Sequence, residues 1–512
     1  MVESRTSKSL KNAKVVLAFY VINLSLQFFS RKVFLDYLGT EILGLNTTVQ
    51  NLLGFLNIAE LGIGIAISYA LYKPLFEKDR ETINDIVSIQ GWLYRKVAYF
   101  VIVGSCIFML FFPLIFKKVE LPLWYIYSAF IVFLVASLLG YFVNYRQIVL
   151  VADQKEYKVT YCVQGGKAFK YLLQILALIY LTHGYVYWMI IELLMSFAIA
   201  YVLNIIIKRE YVWLVATPLK GKYLQHKYPE IITKTKQLFF HKIASFALEQ
   251  TSPLIIYAYA SLTMVAMYGN YMAIIWAITL FVNSFFNGMS AGVGNIVAEG
   301  NKNKVMSFYW ECVAMRYWLI SILCFCLLML THSFIELWIG EEYILPQRTF
   351  ILMIAYVFIN CTRVHELFVS AYGIYQDIWA PIIEAAINIG CSILFGYYWG
   401  LSGIVGGVVL SLFLIVFCWK PYFLFRFGFK ESVKGYIVIC MKYLILIFMA
   451  SLISYYIVDA FHVRVNTFIQ WGIKACLCGG VYLIVSIILF FITDFSFRLF
   501  SYRLVKLVNR KM

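Results

Sequence analysis

The sequence predicts an all-α polytopic membrane protein with about fourteen transmembrane helices, at about 20 apolar residues per crossing. Three observations carry that expectation. The 512 residues are 62% hydrophobic and 13% charged, whereas a soluble chain is about half apolar and about a quarter charged. The apolar residues form runs of bilayer-spanning length. The lysines and arginines gather in the short connectors between those runs.

Taken in order, the first span covers 14–37, behind Arg5, Lys8, Lys11 and Lys14. No small-residue cleavage site follows a short apolar core, so it reads as a retained helix and not a signal peptide. Asn23, Gln27 and Arg31 recur every four residues on it and share one face. Lys32 beside Arg31 leaves open that both snorkel to the outer interface. The second span, 46–72, carries Gln50, Asn57 and Glu60, with Gly62 and Gly64 as hinge candidates. Spans at 94–116 and 122–146 are plainly apolar.

The fifth span, 157–181, has the longest polar stripe: Thr160, Gln164, Lys167, Tyr171 and Gln174, with Lys170 alongside. Its Gly165-Gly166 pair permits close helix approach. Span 185–207 contains Glu192. Span 234–260 has His241, Lys242, Ser245, Glu249 and Ser252, then Pro253, expected to kink the helix because proline removes a backbone donor. Asn283, Asn287 and Ser290 lie on span 264–296, Arg316 on 306–331, and Arg363 with Glu366 on 349–373. Glu384 and Asn388 lie on 377–398. Spans 401–424, 435–458 and 468–493 complete the set.

Polar groups in hydrocarbon are costly and face a bundle interior or a wet cavity. For the neutral residues, hydrogen bonding between packed helices is the competing explanation. For Arg363 it is an ion pair with Glu366, and for Arg316 a looser pairing with Glu311. The cations that read as cavity-lining are Arg31, Lys167, Lys170, Lys242, Arg316 and Arg363. Asn23, Gln27, Gln164, Tyr171, Asn283 and Asn287 supply hydrogen bonds beside them. Glu60, Glu192, Glu249 and Glu384 are candidates for coupling to a cation, Na+ or H+; no other cofactor is expected.

The net charge of +17 does not indicate nucleic-acid binding, because its distribution obeys the positive-inside rule. With both termini cytoplasmic, only Lys117, Lys118, Arg348 and Arg464 are left for the outward loops. The eleven cysteines lie mostly inside apolar runs without metal-type pairing and read as small hydrophobes. No metal site is expected. The longest extramembrane piece is the basic stretch 208–233, too short for a soluble catalytic domain, so no enzyme activity is expected.

One series of segments carries a resemblance. It begins at Leu38-Gly39-Thr40-Glu41-Ile42-Leu43-Gly44-Leu45, continues through Glu60-Leu61-Gly62-Ile63-Gly64-Ile65-Ala66-Ile67, and ends this stretch at Leu71-Tyr72-Lys73-Pro74-Leu75. Further along come Tyr145-Arg146, Ala152-Asp153-Gln154-Lys155, Gly269-Asn270-Tyr271, Ser290-Ala291-Gly292-Val293-Gly294-Asn295, Leu337-Trp338-Ile339-Gly340 and Glu384-Ala385-Ala386-Ile387-Asn388. In this order the chain resembles the bacterial polysaccharide repeat-unit flippases (the Wzx type, serving O-antigen and capsule). Their superfamily also holds multidrug-and-toxin-extrusion antiporters and the lipid II flippase. The chain departs where many relatives carry an acidic residue, reading Gln250-Thr251-Ser252-Pro253, which puts ion coupling through that helix in doubt.

The resemblance implies two six-helix lobes around a central cavity plus two C-terminal helices. Mapped here, these are an N-terminal lobe at 1–208, a basic linker at 209–233, a C-terminal lobe at 234–428 and two extra helices with a basic tail at 429–512. It implies a bacterial cytoplasmic (inner) membrane location and alternating access. The expected substrate is a polyprenyl-diphosphate-linked oligosaccharide, moved from the cytoplasmic to the outer leaflet. Membrane lipids surround a chain expected to be monomeric, with a polysaccharide polymerase and chain-length proteins as candidate partners. Outward movement of an anion is favoured by about 2.3 kcal/mol per charge per 100 mV, and the sequence has no P-loop. The rival readings are a cation-coupled multidrug exporter of the same fold and a membrane-embedded glycan polymerase or glycosyltransferase.

Overall fold

The computed structural model describes the backbone of residues 5–60, 62–117, 119–287, 293–294, 296–297, 299–374, 376–377 and 379–509. It describes their side chains except at 5–14, 17, 59, 237, 240–250, 284, 285, 287 and 503–509. Among the described residues the protein is nearly all helix and has no strand. That follows from the apolar surroundings, where every backbone N–H and C=O must be satisfied within its own segment.

Two compact units divide the chain, Met1–Ala266 and Met267–Met512. In the first, α1 (Arg5–Leu56) is followed by α2 (Ile63–Glu77), α3 (Arg80–Ile115), α4 (Leu123–Phe142), the short α5 (Ile148–Ala152), α6 (Glu156–Tyr180) and α7 (Gly184–Glu210). A short α8 (Gly221–Lys227) leads into α9 (Pro229–Tyr259), and α10 (Leu262–Asn287) crosses into the second unit. There α11 (Lys302–Ile339), α12 (Gln347–Cys361), α13 (Val364–Tyr372), α14 (Trp379–Leu412), α15 (Lys434–Ala460), α16 (Phe468–Thr493) and α17 (Phe495–Asn509) follow.

Among the described residues, nine helices are long and apolar enough to cross a membrane, counting α12 with α13 and α14 with its continuation to Phe429. The expected spans at 14–37, 46–72, 157–181 and 234–260 are not among these nine. Each of the four carries a polar stripe, as do the spans at 264–296 and 377–398.

Several expected boundaries move. The loop expected between the first two spans is helical, and α1 is interrupted only at Gly39, with φ 77°. The expected span 46–72 breaks instead at a 3-10 turn, Asn57–Glu60, and restarts after Gly62 at φ 89°. A Cβ on Gly62 would stand 2.8 Å from that of Leu238 and 3.0 Å from the Thr235 carbonyl oxygen on α9. Backbone freedom and close approach thus both demand glycine there. Gly64 meets only the Tyr94 hydroxyl, at 3.7 Å. The expected span 349–373 is broken at Thr362 and Arg363. Between the expected spans 377–398 and 401–424, Gly400 leaves helical geometry at φ 55°, and two π-helical stretches, Phe413–Trp419 and Leu424–Phe429, follow. The helix α9 runs on through Pro253.

In the first unit α6 packs between α1 and α7. Its glycines are the reason it fits: Gly165 faces the Phe19 ring of α1, and Gly166 abuts Ile199 of α7. In the second unit α11 is the spine against which α12, α15, α16 and α17 pack. Tyr309, Tyr317, Phe368, Phe425, Phe429, Tyr436, Tyr443 and Phe490 fill its core. All eleven cysteines are free.

Candidate functional site

The polar stripe on α6 lies between α1 and α7. Lys167 lies about 17 Å along its helix, at 1.5 Å per residue from Glu156, far from either end. Two neighbours divide the polar face of α6 between them. From α1, Asn23 Nδ2 donates to the Gln164 carbonyl oxygen at 3.3 Å and to its Oε1 at 3.5 Å. From α7, Glu192 accepts Lys170 Nζ at 2.6 Å on one carboxylate oxygen and Gln174 Nε2 at 2.9 Å on the other. Gln174 also donates to the Trp188 carbonyl at 3.3 Å. Lys170 and Glu192 have side chains only 13% and 9% exposed. At that burial the pair survives because both carboxylate oxygens are engaged.

Lys167 differs. It is exposed and has no hydrogen-bond or ion-pair partner among the described residues. Tyr171 is half-buried one turn on, and Gln27 is exposed on α1. Arg31, deeper along α1, donates to the Ala266 carbonyl at 3.4 Å, while Lys32 sits 3.6 Å from Asp36. The result is a lysine with no carboxylate of its own, in a helix otherwise stitched to both neighbours.

A second polar site forms at the break before α2. The Glu60 carboxylate accepts the Tyr94 hydroxyl at 3.0 Å on Oε1 and the Tyr141 hydroxyl at 2.9 Å on Oε2. Tyr141 also reaches Asn57 Oδ1 at 2.9 Å. Of the four glutamates considered for coupling, Glu192 is held by Lys170, and Glu384 lies 3.9 Å from Arg363. Glu60 has hydroxyl donors and no ion-pair partner among the described residues. Glu249 lies outside the residues with described side chains, as do Lys242 and Asn287.

In the second unit the charges gather at the break between α12 and α13. Arg316 is 4% exposed. Its Nε donates to the Cys361 carbonyl at 2.5 Å and its Nη1 to that of Arg363 at 3.4 Å, with the guanidinium 4.4 Å from the Phe286 ring centre. The Cys361 carbonyl is an acceptor that the terminated α12 leaves unpaired, so Arg316 closes the end of that helix. Arg363 pairs with Glu366 at 3.1 Å and approaches Glu384 at 3.9 Å. Ser392 donates to Asn388 Oδ1 at 3.4 Å, Lys420 pairs with Asp377 at 2.6 Å, and Asn283 is half-buried.

The sequence therefore located Lys167, Lys170, Gln164 and Gln174 on one helix and Glu192 on the next, but nothing in it joined Glu192 to Lys170. The sequence does not single out Tyr94 and Tyr141 as partners of Glu60. They come from two helices far from Glu60 in sequence, so no linear spacing announces them.

No protein-family model matches the chain, and no curated protein matches it in sequence. Solved structures do match in shape. The lipid II flippase MurJ, in an inward closed conformation, aligns with TM-score 0.61 at 14% identity, over 94% of this chain and 98% of its own. The inward-facing conformation of a multidrug resistance MATE family transporter of the MOP superfamily aligns with TM-score 0.56 at 14% identity, over 78% and 96%. The chain shares the fold of these two transporters. At this identity the likeness concerns fold, and the chemistry must be argued from the residues above.

Proposed function

We propose that the protein is a flippase for polyprenyl-diphosphate-linked oligosaccharide, moving it to the outer leaflet for surface polysaccharide assembly. The observation that carries this reading is Lys167, a mid-helix cation with no carboxylate partner among the described residues. An unpaired charge in hydrocarbon is costly, so such a lysine is suited to an anionic passenger that supplies the missing charge. A diphosphate does so, and the amides and tyrosine around it (Gln27, Gln164, Tyr171) match sugar hydroxyls. The lipid tail never has to leave the bilayer.

The test is reconstitution of the full chain in proteoliposomes, with lipid-linked oligosaccharide and a cationic dye as alternative cargoes. Transfer of the oligosaccharide lipid between leaflets without dye movement is expected. Dye efflux without lipid transfer would favour the multidrug exporter, a reading that rests on the MATE likeness. Formation of glycosidic bonds by the purified protein would revive the polymerase or glycosyltransferase reading, for which the short outward loops offer little room.

Coupling, on this reading, falls to Glu60. Held by two phenols and by no cation among the described residues, it can exchange a proton without breaking a salt bridge. Glu60→Gln is expected to leave protein abundance unchanged and to remove the dependence of transfer on an imposed pH gradient. Retention of that dependence would exclude Glu60.

A further inference from the structure

The connector after α7 is not a slack loop. It folds back along the extramembrane half of α3 and is bolted there. Asn84 accepts the Val215 amide at 2.8 Å and donates to the Trp213 carbonyl at 3.4 Å; Ser88 accepts the Thr217 amide at 2.8 Å. Lys227 pairs with Asp85 at 2.8 Å. At the top of this clamp two glycines allow contact. A Cβ on Gly91 would stand 2.7 Å from Pro218, and one on Gly221 would stand 2.8 Å from the Ser88 carbonyl oxygen and run into Trp92. The buried face of the connector is Leu214, Ala216, Pro218, Gly221 and Leu224.

Its other face is bare. Leu219 is 82% exposed and Tyr223 79%, and between them stand Lys220 and Lys222, exposed and without ion-pair partners among the described residues. Gly221 fixes the level of this Leu-Lys-Gly-Lys-Tyr turn against Trp92. On α3, Trp92 begins a one-sided row continuing through Lys96, Tyr99, Val103, Ile107, Leu110 and Leu114, the last five large and exposed on an apolar helix. That row is the lipid-facing side of α3. Tyr99 is about 10 Å above Trp92 along the helix, so the turn sits where hydrocarbon gives way to headgroups. The Lys96 ammonium, 3.7 Å from the Trp92 ring centre, marks the same boundary.

We propose that residues 219–223 form an interfacial anchor that inserts Leu219 and Tyr223 into the inner leaflet and holds anionic lipid phosphates with Lys220 and Lys222. Apolar side chains flanked by lysines bind in the interface plane through buried area together with attraction to anionic lipid. The surface continues a lipid-facing helix stripe directly, and its charge complements such headgroups. The level also predicts a gradient. Val212 precedes Trp213, whose carbonyl Asn84 holds, and Asn84 lies about 12 Å further from the bilayer than Trp92, at eight helical residues of 1.5 Å.

The experiment places a nitroxide on the full-length chain in nanodiscs, at Leu219→Cys or Val212→Cys, with the signal of the unsubstituted chain's native cysteines subtracted. Collisions with oxygen report hydrocarbon, and collisions with a nickel chelate report water. In phosphatidylglycerol-containing discs the 219 label is expected to favour oxygen strongly and the 212 label to favour nickel. The 219 label is expected to shift towards nickel in pure phosphatidylcholine and in a K220E/K222E chain. Nickel accessibility at 219 in the anionic discs, the pattern of a surface awaiting a protein partner, would overturn the anchor. Oxygen preference unmoved by either lysine charge or lipid charge would overturn its selectivity for anionic lipid.

Discussion

Lys167→Met is expected to reduce transfer of lipid-linked oligosaccharide by roughly 10- to 100-fold, the equivalent of about 1.5–3 kcal/mol for a hydrogen bond to a charged group. The chain should accumulate at normal levels, because the lysine is exposed and no described side chain depends on it. Lys167→Arg should keep much of the activity, since guanidinium also binds phosphate, though with a fork geometry in place of a point charge. The measurement is initial-rate transfer in proteoliposomes, alongside binding of a short-chain polyprenyl diphosphate to detergent-purified protein. If Met at this position left both unchanged, the diphosphate would have to be held elsewhere and the function argued from Lys167 would lose its support. Equal loss for neutral and diphosphate cargo would instead give Lys167 a role in the helix.

How much of this could be read beforehand depends on whether an interaction is local or assembled. The helical character and the polar stripe of α6 were legible, because apolar runs and a repeat of three and four are properties of one segment. So was the break near Gly400, where a glycine-containing interval separated two apolar runs. The interruptions at Asn57–Gly62 and Thr362–Arg363 fall inside spans the sequence reads as continuous, although Gly62 is one of its hinge candidates. Their cause lies elsewhere: Gly62 against α9, and Arg316 of α11 on the carbonyl of Cys361. Arg316 is the sharpest case. By depth and charge it reads as a cavity cation, whereas its guanidinium is occupied by backbone oxygens and an aromatic face. The pair Arg363–Glu366 was visible as a three-residue spacing and is present at 3.1 Å. The approach of Glu384 to the same arginine, from another helix, was not visible.

Breaking the Lys170–Glu192 pair one side at a time is expected to have the largest effect on the protein's accumulation. Either Lys170→Met or Glu192→Leu leaves an uncompensated charge at a site where both partners are nearly buried, a loss of about 3–5 kcal/mol for such pairs. Gln174, which donates to the same carboxylate, cannot replace a full charge. Since α6 and α7 are joined across this contact, membrane insertion should survive while thermal unfolding in detergent falls sharply. The double variant Lys170→Met with Glu192→Leu is expected to recover most of that stability, because apolar replacement of a buried pair is often neutral. Transfer activity then separates two roles. If the double variant transports at near the parent rate, Lys170 is an internal strut and Lys167 alone faces the diphosphate. A double variant that is stable but inactive would assign Lys170 to the cargo as well, with Glu192 holding it until the diphosphate displaces the carboxylate. The strut is the expected result: a 2.6 Å contact with both carboxylate oxygens engaged leaves Lys170 no free charge to offer, whereas one turn away Lys167 has no hydrogen-bond or ion-pair partner among the described residues.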